Sequence, residues 1–169
     1  TLMAQLQGDM ATLAGNIAAL QELERLRILL EQAGVEIILL KGAAFLDTLY
    51  PDLSERKMCD LDFLIRHQDK EITWSLLEAE GYRRNIRADR QKSNALRTQY
   101  TYIKDQGRLQ LDVHWELGHH GRHKIDYSQV FNRAQIRESS NRQVITISAE
   151  DTVLFCAIHA AKDLFREDS

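Results

Sequence analysis

Two aspartates interrupt the apolar stretch Cys59-Asp60-Leu61-Asp62-Phe63-Leu64-Ile65. This composition is typical of a β-strand, whose side chains alternate between the two faces of a sheet. Asp60 and Asp62 are therefore predicted to share one face. Neighbouring like charges repel each other and are costly to desolvate, so stability alone does not explain the pair. A divalent cation would relieve the repulsion, because Mg²⁺ prefers carboxylate and phosphate oxygens. The alternative is an edge strand with two solvated acids.

A third aspartate extends this hypothesis. Apolar and polar residues alternate over 108–116, which predicts a strand with Asp112 and His114 on its polar face. If this strand neighbours the first, three carboxylates converge. They could hold two Mg²⁺ or Mn²⁺ ions, one activating an attacking hydroxyl and one neutralising a departing pyrophosphate. His114 could orient Asp112 or contact the substrate. The alternatives are a solvated sheet face and a hydrogen-bonded surface histidine.

The segment Ile38–Ala44 is a candidate phosphate-binding turn, because an apolar strand passes through a glycine into a predicted helix. Gly42 lets the backbone approach a phosphate, and a helix that starts near Ala43 offers free N–H groups. Lys41 could add a positive charge beside a triphosphate. Arg56, in the polar loop before Asp60, could contact a phosphate or could simply be solvated.

The remaining pattern predicts one α/β (α+β) domain with a mixed, mainly antiparallel sheet flanked by helices. Ser148, with Asp151 three residues later, resembles a helix N-cap. The predicted helices cover 2–33, 43–49, 68–80 and 149–164, and the predicted strands cover 35–40, 59–65, 98–104, 108–116 and 142–147.

The composition of the chain limits the classes of protein to which it could belong. The chain has 169 residues, enough for one domain with a substantial core. Its net charge of -3 gives no strong signal for nucleic-acid binding, and the basic stretch 83–97 lacks the interleaved aromatic residues of a stacking surface. No apolar run approaches the length of a membrane span. Cys59 and Cys156 lie far apart in apolar runs, which favours buried thiols in a reducing cytoplasm.

Several motifs in this order resemble the uncharacterised nucleotidyltransferase family of the DNA polymerase β-like superfamily. The matching segments are Leu39-Leu40-Lys41-Gly42, Tyr50-Pro51, Arg56-Lys57-Met58-Cys59-Asp60-Leu61-Asp62-Phe63-Leu64-Ile65, Leu111-Asp112-Val113-His114-Trp115, Ser148-Ala149-Glu150-Asp151 and His159-Ala160-Ala161-Lys162. The resemblance covers about 35–162. One departure is the pair Gly42-Ala43, where the superfamily usually has Gly-Ser or Gly-Gly.

The resemblance implies a polymerase β-like nucleotidyltransferase fold, with Asp60 and Asp62 as metal ligands and Asp112 as the third acid. It implies an Mg²⁺-dependent enzyme that moves an NMP from an NTP to a hydroxyl or phosphate acceptor that the sequence does not identify. The expected organisation is an N-terminal helical segment over 1–34, a core over 35–147 and, over 148–169, a helix that starts a longer helical region.

Two other interpretations stay open at the level of sequence. The departure at Gly42-Ala43 favours a non-catalytic module of the same fold that binds a nucleotide or a protein partner, for example as an antitoxin or regulator. The complete set of three aspartates opposes it. The third interpretation is a plain interaction domain whose long N-terminal helix pairs with another chain, and it predicts no response to metal ions.

Overall fold

The computed structural model describes residues 2–42, 44, 52–86, 97–104, 109–118, 123–139 and 142–164. Four α-helices have their bounds within these ranges, and a 3₁₀ helix over His67–Asp69 precedes the second. The helices are α1 (Leu2–Gln32), α2 (Lys70–Ala79), α3 (Tyr127–Asn132) and α4 (Ala149–Leu164). The strands are β1 (Ile38–Leu40), β2 (Asp60–Leu64), β3 (Arg83–Arg84), β4 (Gln99–Lys104), β5 (Leu109–His114), β6 (Gln135–Ser139) and β7 (Arg142–Thr146).

The described strands form one seven-stranded sheet in the order β3-β4-β5-β2-β1-β7-β6. The pairs β2–β5 and β1–β7 are parallel, and the other four pairings are antiparallel. The predicted mixed, mainly antiparallel sheet is thus confirmed. Strand β2 lies at the centre, with β5 on one side and β1 on the other, and all of its residues after Asp60 are buried.

Each face of the sheet carries its own hydrophobic cluster. The first lies under α1 and α2 and includes Leu26, Leu30, Phe63, Leu77 and Val113. The second lies on the opposite face and draws on α3 and α4. Its buried members are Ile38, Leu40, Leu64, Leu117, Val130, Phe131, Ile147 and Phe155. Phe63 of β2 and Val113 of β5 belong to the first cluster, so the residues that alternate with them lie on the second face. Asp62, Asp112 and His114 are among these residues.

The structure has three elements that the sequence pattern did not reveal: β3, α3 and β6. Strand β3 is two residues long, and α3 is a six-residue helix with Asp126 as its N-cap, which accepts hydrogen bonds from the backbone N–H of Ser128 and Gln129. Strand β6 lies at the edge of the sheet, where its residues are mostly exposed, so they show no apolar alternation. Strand β1 is shorter than predicted and begins at Ile38.

The N-cap prediction at Ser148 is confirmed, because its Oγ accepts a hydrogen bond from the N–H of Asp151 at 3.1 Å. The buried-thiol prediction is wrong: Cys59, just before β2, and Cys156, in α4, are both exposed. In the ranges above, no helix combines the length and apolar composition needed to cross a membrane. The predicted helix over 43–49 lies outside the described residues, apart from Ala44, and so do residues 105–107, which join the predicted strands 98–104 and 108–116.

Candidate active site

The parallel pairing of β2 with β5 brings the predicted acids together. Asp62 lies directly opposite Asp112 in the register, and Asp60 lies opposite Gln110. Because alternate residues of a strand share a face, the three aspartates lie on one face of the sheet. The predicted geometry, in which the two strands are neighbours and their acids share a face, is confirmed.

Asp62 is the most enclosed of the three acids and has two cationic or hydrogen-bonding neighbours. Lys41 Nζ lies 3.0 Å from its Oδ1, and His114 Nε2 lies 2.9 Å from the same oxygen. Burial alone raises the pKa of Asp62, but the hydrogen bond and charge of His114 and the charge of Lys41 outweigh it and hold the pKa below its ordinary value. Asp62 is therefore ionised in the folded protein.

The position of His114 corrects one detail of the sequence interpretation. The histidine was expected to orient Asp112 on its own strand or to contact the substrate, or else to lie at the surface. It is instead buried and hydrogen-bonded to Asp62 on the neighbouring strand. In the register His114 lies opposite Leu64, so Asp62 is its diagonal neighbour on the adjacent strand, within reach of a long side chain.

Asp112 is held by neutral donors rather than by cations. Thr101 Oγ1 donates a hydrogen bond to its Oδ1 at 2.7 Å. Gln99 Nε2 lies 3.3 Å from Oδ2, and Gln110 Nε2 lies 3.4 Å from Oδ1. None of these three partners of Asp112 was predicted from the sequence. The polar residues at 99 and 101 alternate along β4 in the same way as those of β5, and this alternation was the signal that could have revealed them.

Asp60 is half-buried at the start of β2, and its environment differs from that of Asp62. Burial raises its pKa, and the negative charges of Asp62 and Asp112 raise it further. Lys41 offsets these effects only in part. The carboxylate therefore sits among like charges, which is the arrangement that a bound cation relieves.

These side chains fit a divalent cation. Within the described part of the chain, Asp62, Asp112 and His114 each bring a ligand atom within 4.8 Å of the others, and all three are buried. Asp60 is not in that group but adds a third carboxylate on the same face. Carboxylate oxygens are the hard ligands that Mg²⁺ and Mn²⁺ prefer, and the negative charges of Asp62 and Asp112 add to the effect of burial in raising the pKa of Asp60.

Among the candidate phosphate-binding residues, the fold brings Lys41 into contact with the acids. Lys41 follows β1 in a left-handed conformation with φ 47°, which is unusual for a residue with a side chain, and its ammonium group reaches Asp62. A Cβ added to Gly42 would meet nothing within 4 Å, so no described neighbour requires a glycine there. Ala43 lies outside the described residues. Arg56 is exposed and stands four residues before Asp60.

Two solved structures have the same fold as this chain. The lincosamide antibiotic adenylyltransferase LnuA with bound lincomycin aligns with a TM-score of 0.58 and 19% identity, over 80% of this chain and 84% of that one. The antibiotic-resistance factor ANT(2'')-Ia aligns with a TM-score of 0.61 and 12% identity, over 91% of this chain and 77% of that one. At these identities the likeness concerns the fold.

The family to which this chain belongs is identified from its sequence. The model of the uncharacterised nucleotidyltransferase family matches residues 2–169, and the chain belongs to this family. No curated protein matches it. The resemblance predicted from the motifs is thus confirmed, and the chain is placed among the nucleotidyltransferases, the class of enzyme that its aspartates predict.

Proposed function

We propose that this protein transfers an NMP from an NTP to a hydroxyl or phosphate acceptor, with Asp60, Asp62 and Asp112 as its catalytic carboxylates. The main support is the register that sets Asp62 opposite Asp112 on one sheet face, with Asp60 beside them. Three acids together on two central strands repel each other, and this repulsion opposes folding. The needs of a stable core therefore do not explain their presence.

In the proposed reaction, the acceptor oxygen attacks the α-phosphorus of the NTP. The bond between that phosphorus and the oxygen bridging to the β-phosphate breaks, and pyrophosphate leaves with the electron pair. Asp112 takes the proton of an attacking hydroxyl, and its hydrogen bond from Thr101 keeps the carboxylate oriented for this transfer. Lys41, Gly42, Ala43 and Arg56 contribute to binding the triphosphate.

Magnesium or manganese dependence is part of the proposal. Asp60, Asp62 and Asp112 would hold the ion, which would supply positive charge for the triphosphate and the departing pyrophosphate. His114 contacts Asp62 directly, so we assign it the role of keeping that carboxylate ionised and correctly oriented.

The first test measures the melting temperature with Mg²⁺ or Mn²⁺ and each NTP in turn, alone and together. A ligand that binds the folded state stabilises it by about 1.4 kcal/mol when present at ten times its dissociation constant. We expect stabilisation by the metal and nucleotide together, and its loss when EDTA is added. The second test measures pyrophosphate release with a panel of small hydroxylated compounds, including lincomycin, together with peptide and nucleic-acid acceptors.

A non-catalytic nucleotide-binding module is the second candidate. Lys41 and His114 both contact Asp62 Oδ1 without a metal ion, which is compatible with a site that binds a nucleotide but performs no transfer. Tight binding of an NTP with no pyrophosphate release for any acceptor in the panel, including water and the protein itself, would favour this candidate. Absence of any nucleotide binding would favour the plain interaction domain.

A further inference from the structure

Asn16 is a buried polar residue in the middle of α1, with 1% of its surface exposed. Its apolar neighbours in the first hydrophobic cluster include Ala19, Leu20 and Leu23. A buried amide without partners lowers the stability of the folded state, so its contacts show what the residue does.

Three side-chain hydrogen bonds of Asn16 go to one loop, at residues 53–58. Its Nδ2 donates to the carbonyl oxygen of Leu53 at 2.6 Å and to that of Arg56 at 2.7 Å. Its Oδ1 accepts from the N–H of Met58 at 2.8 Å. Two carbonyl acceptors and one N–H donor determine the amide orientation, because the flipped amide would place oxygen against oxygen.

The loop that Asn16 holds leads directly into the acidic strand. Met58 lies two residues before Asp60, and Arg56 lies four residues before it. The loop has no regular secondary structure over these residues, so few of its own hydrogen bonds determine its path; one of them joins the N–H of Glu55 to the carbonyl of Asp52 at 3.1 Å. The side chains of Leu53 and Met58 pack against the first cluster on either side of the exposed Arg56.

We propose that Asn16 is a positioning residue of the nucleotidyl-transfer site, which holds the 53–58 loop so that Arg56 is fixed relative to Asp60 for binding the triphosphate. This inference rests on the proposed function. It assigns a role to α1, because the side-chain amide of Asn16 fixes the conformation of a loop 37–42 residues further along the chain.

The test compares four proteins with the parent: Asn16→Ala, Arg56→Ala, the double variant and Tyr82→Phe. Tyr82→Phe is the matched control, because it removes another hydrogen bond to α1, from Tyr82 Oη to Glu22 Oε1 at 2.8 Å, away from the loop. The dissociation constant of each NTP with Mg²⁺ is measured by calorimetry. The rate of tryptic cleavage after Arg56 and Lys57 in the native protein reports on the loop itself.

We expect Asn16→Ala to weaken NTP binding about tenfold, the effect of losing roughly one hydrogen bond of net stabilisation, and to accelerate cleavage of the loop. Tyr82→Phe should change neither the dissociation constant of the NTP nor the rate of loop cleavage. The double variant should bind no more weakly than Arg56→Ala alone, because Asn16 acts through Arg56. If Asn16→Ala does not fold, Asn16→Ser, which keeps one hydrogen-bonding group, takes its place in every comparison.

Two results would overturn the inference, and they are distinguishable. If the parent binds NTP and the Asn16 variant binds it as well as Tyr82→Phe does, or if the effects of Asn16 and Arg56 simply add, the positioning role is wrong while the proposed function stands. If the parent binds no NTP with Mg²⁺, the proposed function is wrong, and the role of Asn16 in it is lost too.

Discussion

Glu22 and Asp60 are carboxylates in opposite environments. Glu22, in α1, has its pKa lowered from 4.5 to about 2, chiefly by hydrogen bonds from Arg25 and also by Tyr82 and Lys104, although burial acts in the other direction. Asp60 has its pKa raised by burial and by two neighbouring carboxylates. Glu22 is thus surrounded by donors and cations, whereas Asp60 is placed among acids.

The difference separates a carboxylate that stabilises the fold from one that is available to a ligand. Glu22 joins α1 to the rest of the protein: Arg25 Nη2 lies 2.8 Å from its Oε1, Lys104 Nζ lies 3.3 Å from it, and Arg25 also pairs with Glu80. Such a network needs nothing from outside the protein. The acids on β2 and β5 carry excess negative charge, which a cation from solution would neutralise.

The largest expected effect comes from the acid proposed to activate the nucleophile. Asp112→Asn should still bind NTP with Mg²⁺ but release pyrophosphate at least ~10²-fold more slowly, because the carboxylate acts mainly in the transition state. Glu22→Gln is the matched control, a carboxylate-to-amide change that should leave turnover unchanged. Equal losses of binding and turnover in Asp112→Asn would contradict the assigned role. The assay is pyrophosphate release with an acceptor from the panel.

Glu22→Gln should instead lower stability. Removing the charge weakens the contacts with Arg25 and Lys104, and we expect the free energy of unfolding at pH 7 to fall by about 2 kcal/mol, after allowing for solvent screening at this partly exposed site. Urea unfolding of the parent and the variant measures the difference. A change below about 0.5 kcal/mol would show that the network adds little, as is usual for surface ion pairs.

The difference in stability between the parent and Glu22→Gln should also depend on pH. Because the pKa of Glu22 is lower in the folded protein than in the unfolded chain, its stabilisation is fully present above about pH 4.5. It is lost as the pH falls towards 2, where the folded carboxyl also binds a proton. The difference in the free energy of unfolding between the parent and Glu22→Gln should therefore disappear as the pH falls from about 4.5 to about 2. A gap that stayed constant on acidification would refute the assignment, and unfolding followed by circular dichroism across this range measures it.

The smallest expected effect separates the two acids of β2. In metal-free buffer, Asp60→Asn should leave stability unchanged or raise it, because it removes a charge from among like charges. Asp62→Asn should lower it by about 1 kcal/mol, because Lys41 and His114 lose their charged partner. Thermal or urea unfolding of both variants provides the comparison. The reverse order would mean that Asp60, and not Asp62, is the structural member of the pair.

Much of the site was predictable from local pattern. Alternation along 59–65 and along 108–116 placed the three aspartates on the polar faces of two strands, because the period of a strand is a local property of the backbone. The family motifs supported the pairing of those strands. Helix α4 and its N-cap at Ser148 were predictable for the same reason, since capping depends on residues three positions apart.

Only the tertiary structure decided which partners each acid has. His114 contacts Asp62 on the neighbouring strand, and Thr101 contacts Asp112 from a third strand. Asn16 reaches a loop about 40 residues away. Sequence pattern shows which face a residue lies on, because that follows from the geometry of its own element. The nearest atom on another element depends on strand order, register and packing, which arise when the whole chain folds.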